Sequence, residues 1–157
     1  MNKFLLLFVI TGLFLVLMVG CQSVEEKALT NKSDKESLQN STDKQDMRIS
    51  MYLGKSKYSL SIDEFTLQIK NSGANNYEFG EYYTIEKYQN NAWYEIPFKK
   101  NTAFADILYT LESGKTHSQI IYLQGLDYEI TKGKYRIIKD FSSNGNKITL
   151  ETEFDID

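Results

Sequence analysis

The sequence predicts an all-β domain, a sandwich of two sheets, over residues 47–157. Tyr, Phe and Ile become frequent from Met47 onward, whereas the preceding stretch is polar. Apolar and polar residues alternate in segments such as FTLQIKN at 65–71, which is typical of a half-buried strand. Turn-forming clusters recur at NSGANN (71–76), QNNA (89–92), ESGK (112–115), TKGK (131–134) and SSNGN (142–146). This spacing predicts about seven to eight antiparallel strands.

The first twenty residues, MNKFLLLFVITGLFLVLMVG, predict an export signal. One Lys precedes sixteen uncharged residues from Phe4 to Val19. A helix of that length spans about 24 Å, less than the roughly 30 Å of a bilayer core. A processed signal over 1–20 therefore fits better than the alternative, an uncleaved membrane helix.

The apolar run ends at LMVGCQS, which resembles the lipobox of bacterial lipoprotein signals. Met18 stands where that motif usually has Leu, a change that keeps the apolar character. The resemblance implies cleavage after Gly20 and lipid modification of Cys21. Two or more acyl chains, at about 0.8 kcal/mol for each buried CH₂ group, anchor a protein stably. We therefore expect Cys21 to hold the chain at the cell membrane, facing the extracytoplasmic side.

The polar stretch after Cys21 predicts a disordered tether over 21–46. Ten of the 25 residues from Gln22 to Asp46 are charged and none is aromatic. Such a composition buries too little apolar surface to fold. A flexible chain of this length has a mean end-to-end distance of roughly 28 Å.

The stretch EYYTIEKYQNNAWYEIPF at 81–98 predicts a β-hairpin. Asn tolerates positive φ, so Asn90 and Asn91 can form a two-residue turn. That turn pairs Tyr88 with Trp93. The core side of the hairpin then carries Tyr83, Ile85, Lys87, Tyr94, Ile96 and Phe98. The other side carries Tyr82, Thr84, Glu86, Tyr88, Trp93, Glu95 and Pro97.

The outer side of this hairpin is the candidate binding surface, formed by Tyr82, Tyr88, Trp93, Glu86 and Glu95. Glu86 faces Glu95, and like charges directly opposite each other are mildly destabilising. One interpretation is that nearby Lys87, Lys99 or Lys100 relieves the repulsion. Another is a recognition patch that stacks on a sugar ring or holds a cationic group. A third is that a covering loop, or the segment around Phe104, folds over the rings.

Two further segments bear on the architecture. NTAFADILYTL at 101–111 fits helical spacing as well as strand spacing, and we assign it as a strand. In EITKGKYRII, Tyr135 follows a turn Gly at the start of an apolar strand. This is the pattern of a tyrosine corner, in which the Tyr135 hydroxyl bonds to the backbone just upstream.

Several of these segments together resemble the bacterial immunoglobulin-like domains carried by lipoproteins and surface proteins, mostly of Gram-positive bacteria. The matching segments are FTLQIKN with Asn71, YYTIEKYQNNAWYEIP with Glu86, Trp93 and Pro97, TLESGKT, GKYRI and ETEFDI. The resemblance covers about residues 49–157. It implies an immunoglobulin-like sandwich with no shared catalytic residues and no single ligand.

The composition argues against several classes of function. Net charge is −3 and only two of the eighteen basic residues are Arg, so no basic stripe predicts nucleic-acid binding. A single cysteine, Cys21, excludes an intrachain disulfide and a thiolate-rich metal site. The single histidine, His117, is interpreted as a solvated residue at a strand entry. No metal site and no cofactor is expected.

The sequence thus favours a monomeric, non-catalytic, lipid-anchored module that binds or scaffolds an envelope protein or glycan. One alternative is a cell-wall glycan-binding module that uses the face around Trp93. The other is an envelope hydrolase with Glu86 and Glu95 as an acid–base pair, although two exposed strand carboxylates are a weak signal of catalysis.

Overall fold

The computed structural model describes residues 28–35, 41–44 and 47–157. The export signal predicted over 1–20 and the predicted lipid anchor Cys21 lie outside the described residues. The strands are β1 (Ser41–Lys44), β2 (Met47–Leu53), β3 (Lys57–Tyr58), β4 (Glu64–Asn71), β5 (Tyr77–Phe79), β6 (Thr84–Gln89), β7 (Ala92–Glu95), β8 (Tyr109–Leu111), β9 (Thr116–Tyr122), β10 (Gly133–Ser143) and β11 (Asn146–Ile156).

The strands form two sheets that face each other. One sheet has the order β1-β2-β4-β9. The other has seven strands, with β3-β11-β10-β5-β8 as its path and with β6 joining β10 to β7. The predicted all-β sandwich is confirmed. The structure has more strands than the expected seven to eight, because it includes four short strands of two to four residues, β1, β3, β5 and β8. One pairing also differs from the expected antiparallel arrangement, since β3 pairs with β11 in parallel.

Alternating side chains of the strands fill the space between the sheets. Along β4, Phe65, Leu67 and Ile69 are buried while their neighbours are more exposed, as the period-two pattern predicted. The ring of Phe65 meets that of Phe154 from the opposite sheet, with ring centroids 5.0 Å apart. Tyr135 stacks on the same Phe154 ring at 5.5 Å. The core is therefore aromatic at this end of the sandwich.

The hairpin turn has the predicted geometry and register. Asn90 and Asn91 have φ angles of 49° and 58°, which are the left-handed values that a type I′ turn requires. Tyr88 pairs with Trp93 and Glu86 pairs with Glu95, as predicted. The two strands of this hairpin are β6 and β7.

The tyrosine corner is also confirmed. The Tyr135 hydroxyl donates a hydrogen bond to the Thr131 carbonyl at 2.6 Å and accepts one from the Thr131 amide at 3.2 Å. By contrast, residues 102–108 of the segment predicted as a strand have no regular structure, and only Tyr109–Leu111 is a strand. Phe104 in this irregular stretch packs against the hairpin rings instead of extending a sheet.

Part of the predicted tether packs against the domain. Residues 28–35, the docked segment, lie beside β7 and form an antiparallel bridge between Lys32 and Tyr94. Residues 41–44 form β1, which pairs with β2. The expectation of a free tether over 21–46 therefore does not hold for these two stretches, because each finds a strand edge with unpaired backbone groups.

Candidate functional site

The five residues of the predicted binding surface fall into two separate places. Tyr88 and Trp93 contact each other edge to face, with centroids 5.1 Å apart. Tyr82 instead packs against Phe104 at 5.1 Å, within an aromatic group that also includes Phe98 and Tyr83. The covering of rings by the Phe104 segment thus holds for Tyr82, which nevertheless stays 54% exposed. The surface predicted as one patch is not continuous.

Glu86 is buried, with a relative exposure of 1%, and it forms an ion pair with Arg136. Its Oε2 accepts bonds from Nε at 2.7 Å and from Nη2 at 2.6 Å, since Arg136 lies directly opposite it on the neighbouring strand β10. The Nη1 group of Arg136 contacts Glu151 Oε2 at 2.6 Å. We define these three residues, Glu86, Arg136 and Glu151, as the buried ion network.

Arg136 therefore relieves the repulsion between Glu86 and Glu95, whereas Lys87 and Lys99 make hydrogen bonds elsewhere. Lys87 points to the core side of β6, where Nζ donates to Tyr128 Oη at 2.8 Å. Lys99 Nζ donates to the Gln124 carbonyl at 2.7 Å. An Arg inside the apolar strand segment YRIIK was the only sequence signal for this partner.

The docked segment closes the outer side of the buried ion network. Ser33 Oγ donates to Glu86 Oε1 at 2.8 Å, and Arg136 Nη2 donates to the Lys35 carbonyl at 3.1 Å. Arg136 is fully buried as a result, with a relative exposure of 0%. Sequence reasoning missed these contacts, because a polar segment without periodicity carries no signal for docking.

The same segment pairs with the edge of β7. The Ser33 amide donates to the Trp93 carbonyl at 2.9 Å, and the Glu95 amide donates to the Asn31 carbonyl at 2.9 Å. Asn31 Nδ2 also donates to Glu95 Oε2 at 3.1 Å. Leu29 joins the core with 8% exposure. Alternate residues of the segment, Leu29, Asn31 and Ser33, therefore make the side-chain contacts, as in an added strand.

Trp93 lies between these features and is partly buried. The Cζ atom of Arg136 is 4.5 Å from the centroid of its ring, a cation–π contact, and Lys134 Nζ is 5.8 Å away. Its predicted partner Tyr88 is 41% exposed. At this end of the hairpin, Tyr88 is thus the more accessible ring.

A second polar cluster lies under the loop between β5 and β6. Lys139 Nζ donates to the Gly80 carbonyl at 2.6 Å and to the Tyr82 carbonyl at 2.9 Å. Burial lowers the pKa of this lysine to about 8. His117 is half-buried against Phe79, with centroids 5.1 Å apart, and is not the solvated residue that we expected. Burial, and then the charge of Lys139, lowers the pKa of His117.

The geometry bears on chemistry at Glu86. One carboxylate oxygen is held by Ser33 and the other by Arg136, so Glu86 is engaged as a structural ion-pair partner.

Among residues 28–35, 41–44 and 47–157, no group of three or more His, Cys, Asp or Glu side chains is placed to hold a metal ion. Within the same ranges, no helix is long and apolar enough to cross a membrane.

Comparison with known proteins gives a family for this chain. No curated protein matches the chain. Among solved structures, the chain is similar to a chaperone–tip adhesion subunit pre-assembly complex from archaic chaperone-usher Csu pili of Acinetobacter baumannii. The TM-score is 0.43 at 10% identity, and the match covers 69% of this chain but only 55% of that chain. Residues 45–155 match a family described as bacterial Ig-like domain. That match covers more than half of the sequence, and the chain belongs to the bacterial Ig-like domain family.

Proposed function

We propose that this protein is a lipoprotein, anchored through Cys21 at the outer side of the cell membrane, whose Ig-like domain binds or scaffolds an envelope partner without catalysis. The Ig-like fold supports a binding or scaffolding module. The Gly20–Cys21 step at the end of the apolar run supports the anchor.

The observation that carries the non-catalytic part of the proposal is the state of Glu86. A general acid or base needs a proton-accepting atom that reaches the substrate. Both oxygens of Glu86 are instead engaged by Ser33 and Arg136 within the buried ion network. The same contacts hold an extended segment on the sheet edge, which is how β domains commonly bind peptides.

The anchor is tested by expressing the full chain in a bacterium and measuring the mass of the N-terminal peptide. We expect a lipid-modified Cys21 at the N-terminus and residues 1–20 absent. Cys21→Ser is the matched control and should lack the added lipid mass. An unmodified Cys21 thiol with residues 1–20 still attached would contradict the anchor and leave the binding function to be tested separately.

A second candidate function, binding of cell-wall glycan, is favoured by the exposed Tyr88 ring beside Trp93. Exposed aromatic rings stack on sugars. Tyr88→Ala removes the accessible ring, whereas Trp93→Ala also removes the contact with Arg136. Co-sedimentation with purified wall polymer that is lost in Tyr88→Ala but kept in Tyr52→Ala, another exposed tyrosine, would support glycan binding.

A further inference from the structure

The edge of β7 has the features of a site for an extended peptide. An exposed strand edge offers a row of unpaired N–H and C=O groups to an incoming strand. Here Trp93 supplies a carbonyl and Glu95 supplies an amide, and residues 28–35 of the same chain engage both. We propose that this edge binds an extended segment of another protein, and that the docked segment holds the site closed in the free protein. This inference rests on the proposed binding function and names its site.

The contacts of the docked segment define which peptide fits. Glu86 accepts a hydrogen bond from the Ser33 hydroxyl, so a Ser or Thr is required at that position. Glu95 accepts one from the Asn31 amide, two residues earlier, so a side chain that donates is required there. Leu29, a further two residues earlier, contributes a buried apolar side chain. The ligand class is therefore an extended peptide with the pattern apolar, any, donor, any, hydroxyl.

The buried ion network fits recognition better than stability. Replacing buried ion pairs by apolar residues often leaves a protein equally stable or more stable, because desolvation offsets the attraction between the charges. A strand lacking the hydroxyl would leave Glu86 Oε1 without the bond that Ser33 now makes. Such an unpaired buried oxygen is a strong penalty against a wrong peptide.

The composition of the docked segment favours its displacement by a partner. Apart from Leu29 and Ala28 its residues are polar, and Leu29 is its only member in the buried core. An incoming peptide can replace its contacts one for one. A segment tethered in the same chain competes at an effective concentration in the millimolar range, so it raises the apparent Kd of a partner without abolishing binding.

The test uses residues 21–157, which include every residue that the structure describes. The change Cys21→Ser prevents lipid modification, so the result does not depend on the lipid. The probe is a fluorescein-labelled peptide with the sequence of residues 27–36, KALTNKSDKE. Leu29→Asp combined with Ser33→Pro unseats the docked segment, because Pro removes both the Ser33 hydroxyl and the amide that bonds to Trp93. Binding is measured by fluorescence anisotropy.

We expect the unseated variant to bind the probe at least about tenfold more tightly than the chain with its own segment, because the competing segment is gone. A probe with Ala at the Ser33 position should bind about tenfold more weakly, the effect of one lost charge-assisted hydrogen bond. The proposal would be overturned if the unseated variant folds but does not bind the probe, or if it binds both probes equally tightly.

Two further measurements keep the test decisive if the unseated variant does not fold. In the unaltered chain, the Glu95 amide, which donates to Asn31, should exchange its hydrogen at least about a hundredfold faster than amides of β10, because the segment opens locally. Equal rates would mean that the segment opens only on global unfolding. A concentration-dependent dimer in sedimentation would assign the site to a second copy of this chain. Either of these results refutes the proposal.

Discussion

At the scale of single residues, Arg136 connects more of this domain than any candidate that the sequence suggested. It pairs with Glu86 and Glu151, it lies over the Trp93 ring, and it donates to the backbone of the docked segment. Removing one partner of a buried ion pair leaves an uncompensated charge in a poorly solvated place. The side chain is therefore expected to matter for stability as well as for the segment.

We predict that Arg136→Ala lowers the free energy of unfolding by about 3–5 kcal/mol, the range for breaking a buried ion pair. Lys132→Ala, at an exposed position of the adjacent turn, is the matched control and should change it by less than about 0.5 kcal/mol. Urea denaturation monitored by Trp93 fluorescence measures both. Equal stability of the two variants would show that the network contributes nothing net.

The lowered pKa of Lys139 predicts that the free energy of unfolding increases with pH in the alkaline range. Its pKa is about 8 in the folded protein against 10.5 as the ordinary value, because burial outweighs the opposing effects of Glu81 and Asp140. Between these pH values the unfolded state binds more protons, so the free energy of unfolding increases with pH. Below pH 8 both states are protonated and the destabilisation is complete.

The expected gain is on the order of 2 kcal/mol by about pH 10. Above that pH the free energy of unfolding should fall, because burial raises the pKa values of Tyr58, Tyr77 and Tyr83 and their ionisation favours the unfolded state. Denaturation midpoints across this range test the prediction. Lys139→Met should abolish the rise, and a flat profile in the unaltered protein would refute the role of Lys139.

At the scale of elements, the sequence predicted those features that depend on residues close together in the chain. The β6–β7 register was predictable because two Asn residues select the turn and the period of two then sets every pair. Tyr135 was predictable because its hydroxyl bonds only four residues upstream. The irregular stretch 102–108 was not, since Phe104 is placed by rings on other elements.

The docked segment was the least predictable element. Its composition is that of a disordered chain, and its ordering depends on Arg136, which lies 103 residues after Ser33 in the sequence. The sequence indicated Glu86, Glu95 and Trp93 as candidate site residues, but as parts of an open face. The burial of Glu86 and the partial burial of Glu95 and Trp93 follow from partners that no local pattern connects to them.

The hairpin turn gives a prediction at this scale. Asn91→Val should lower the free energy of unfolding by about 1–2 kcal/mol, because a β-branched residue is strained at positive φ. Asn91→Gly should be neutral or slightly stabilising, since Gly adopts that conformation freely. Asn101→Val, in an exposed loop without positive φ, is the control. Thermal unfolding separates the three, and equal effects of Val at both sites would contradict the turn assignment.

At the scale of the whole molecule, the folding unit extends beyond the boundary that composition suggested. Leu29 belongs to the core, and the docked segment closes the buried ion network. The predicted domain start at residue 47 therefore leaves out contacts that the sandwich uses. Residues 47–157 still contain both sheets apart from β1, so they retain most of the core.

We predict that residues 47–157 alone fold as a monomeric β domain but unfold at a free energy about 2–4 kcal/mol lower than residues 21–157. The difference combines the burial of Leu29 with the lost bonds to charged groups. Urea denaturation and size-exclusion chromatography measure it. Identical stabilities would mean that the docked segment adds nothing to the fold, and mainly helical circular dichroism would refute the sandwich.

The docked segment also sets the reach of the domain, if Cys21 is the point of attachment. Six residues lie between Cys21 and Ala28, and the seven Cα–Cα steps from one to the other span at most about 25 Å when fully extended. Release of the segment lengthens the free chain between Cys21 and the sandwich up to Ser41, where β1 begins, with a contour of roughly 70 Å. Occupation of the β7 edge by a partner would then do two things in one step, capturing the peptide and letting the domain move several nanometres further from the bilayer.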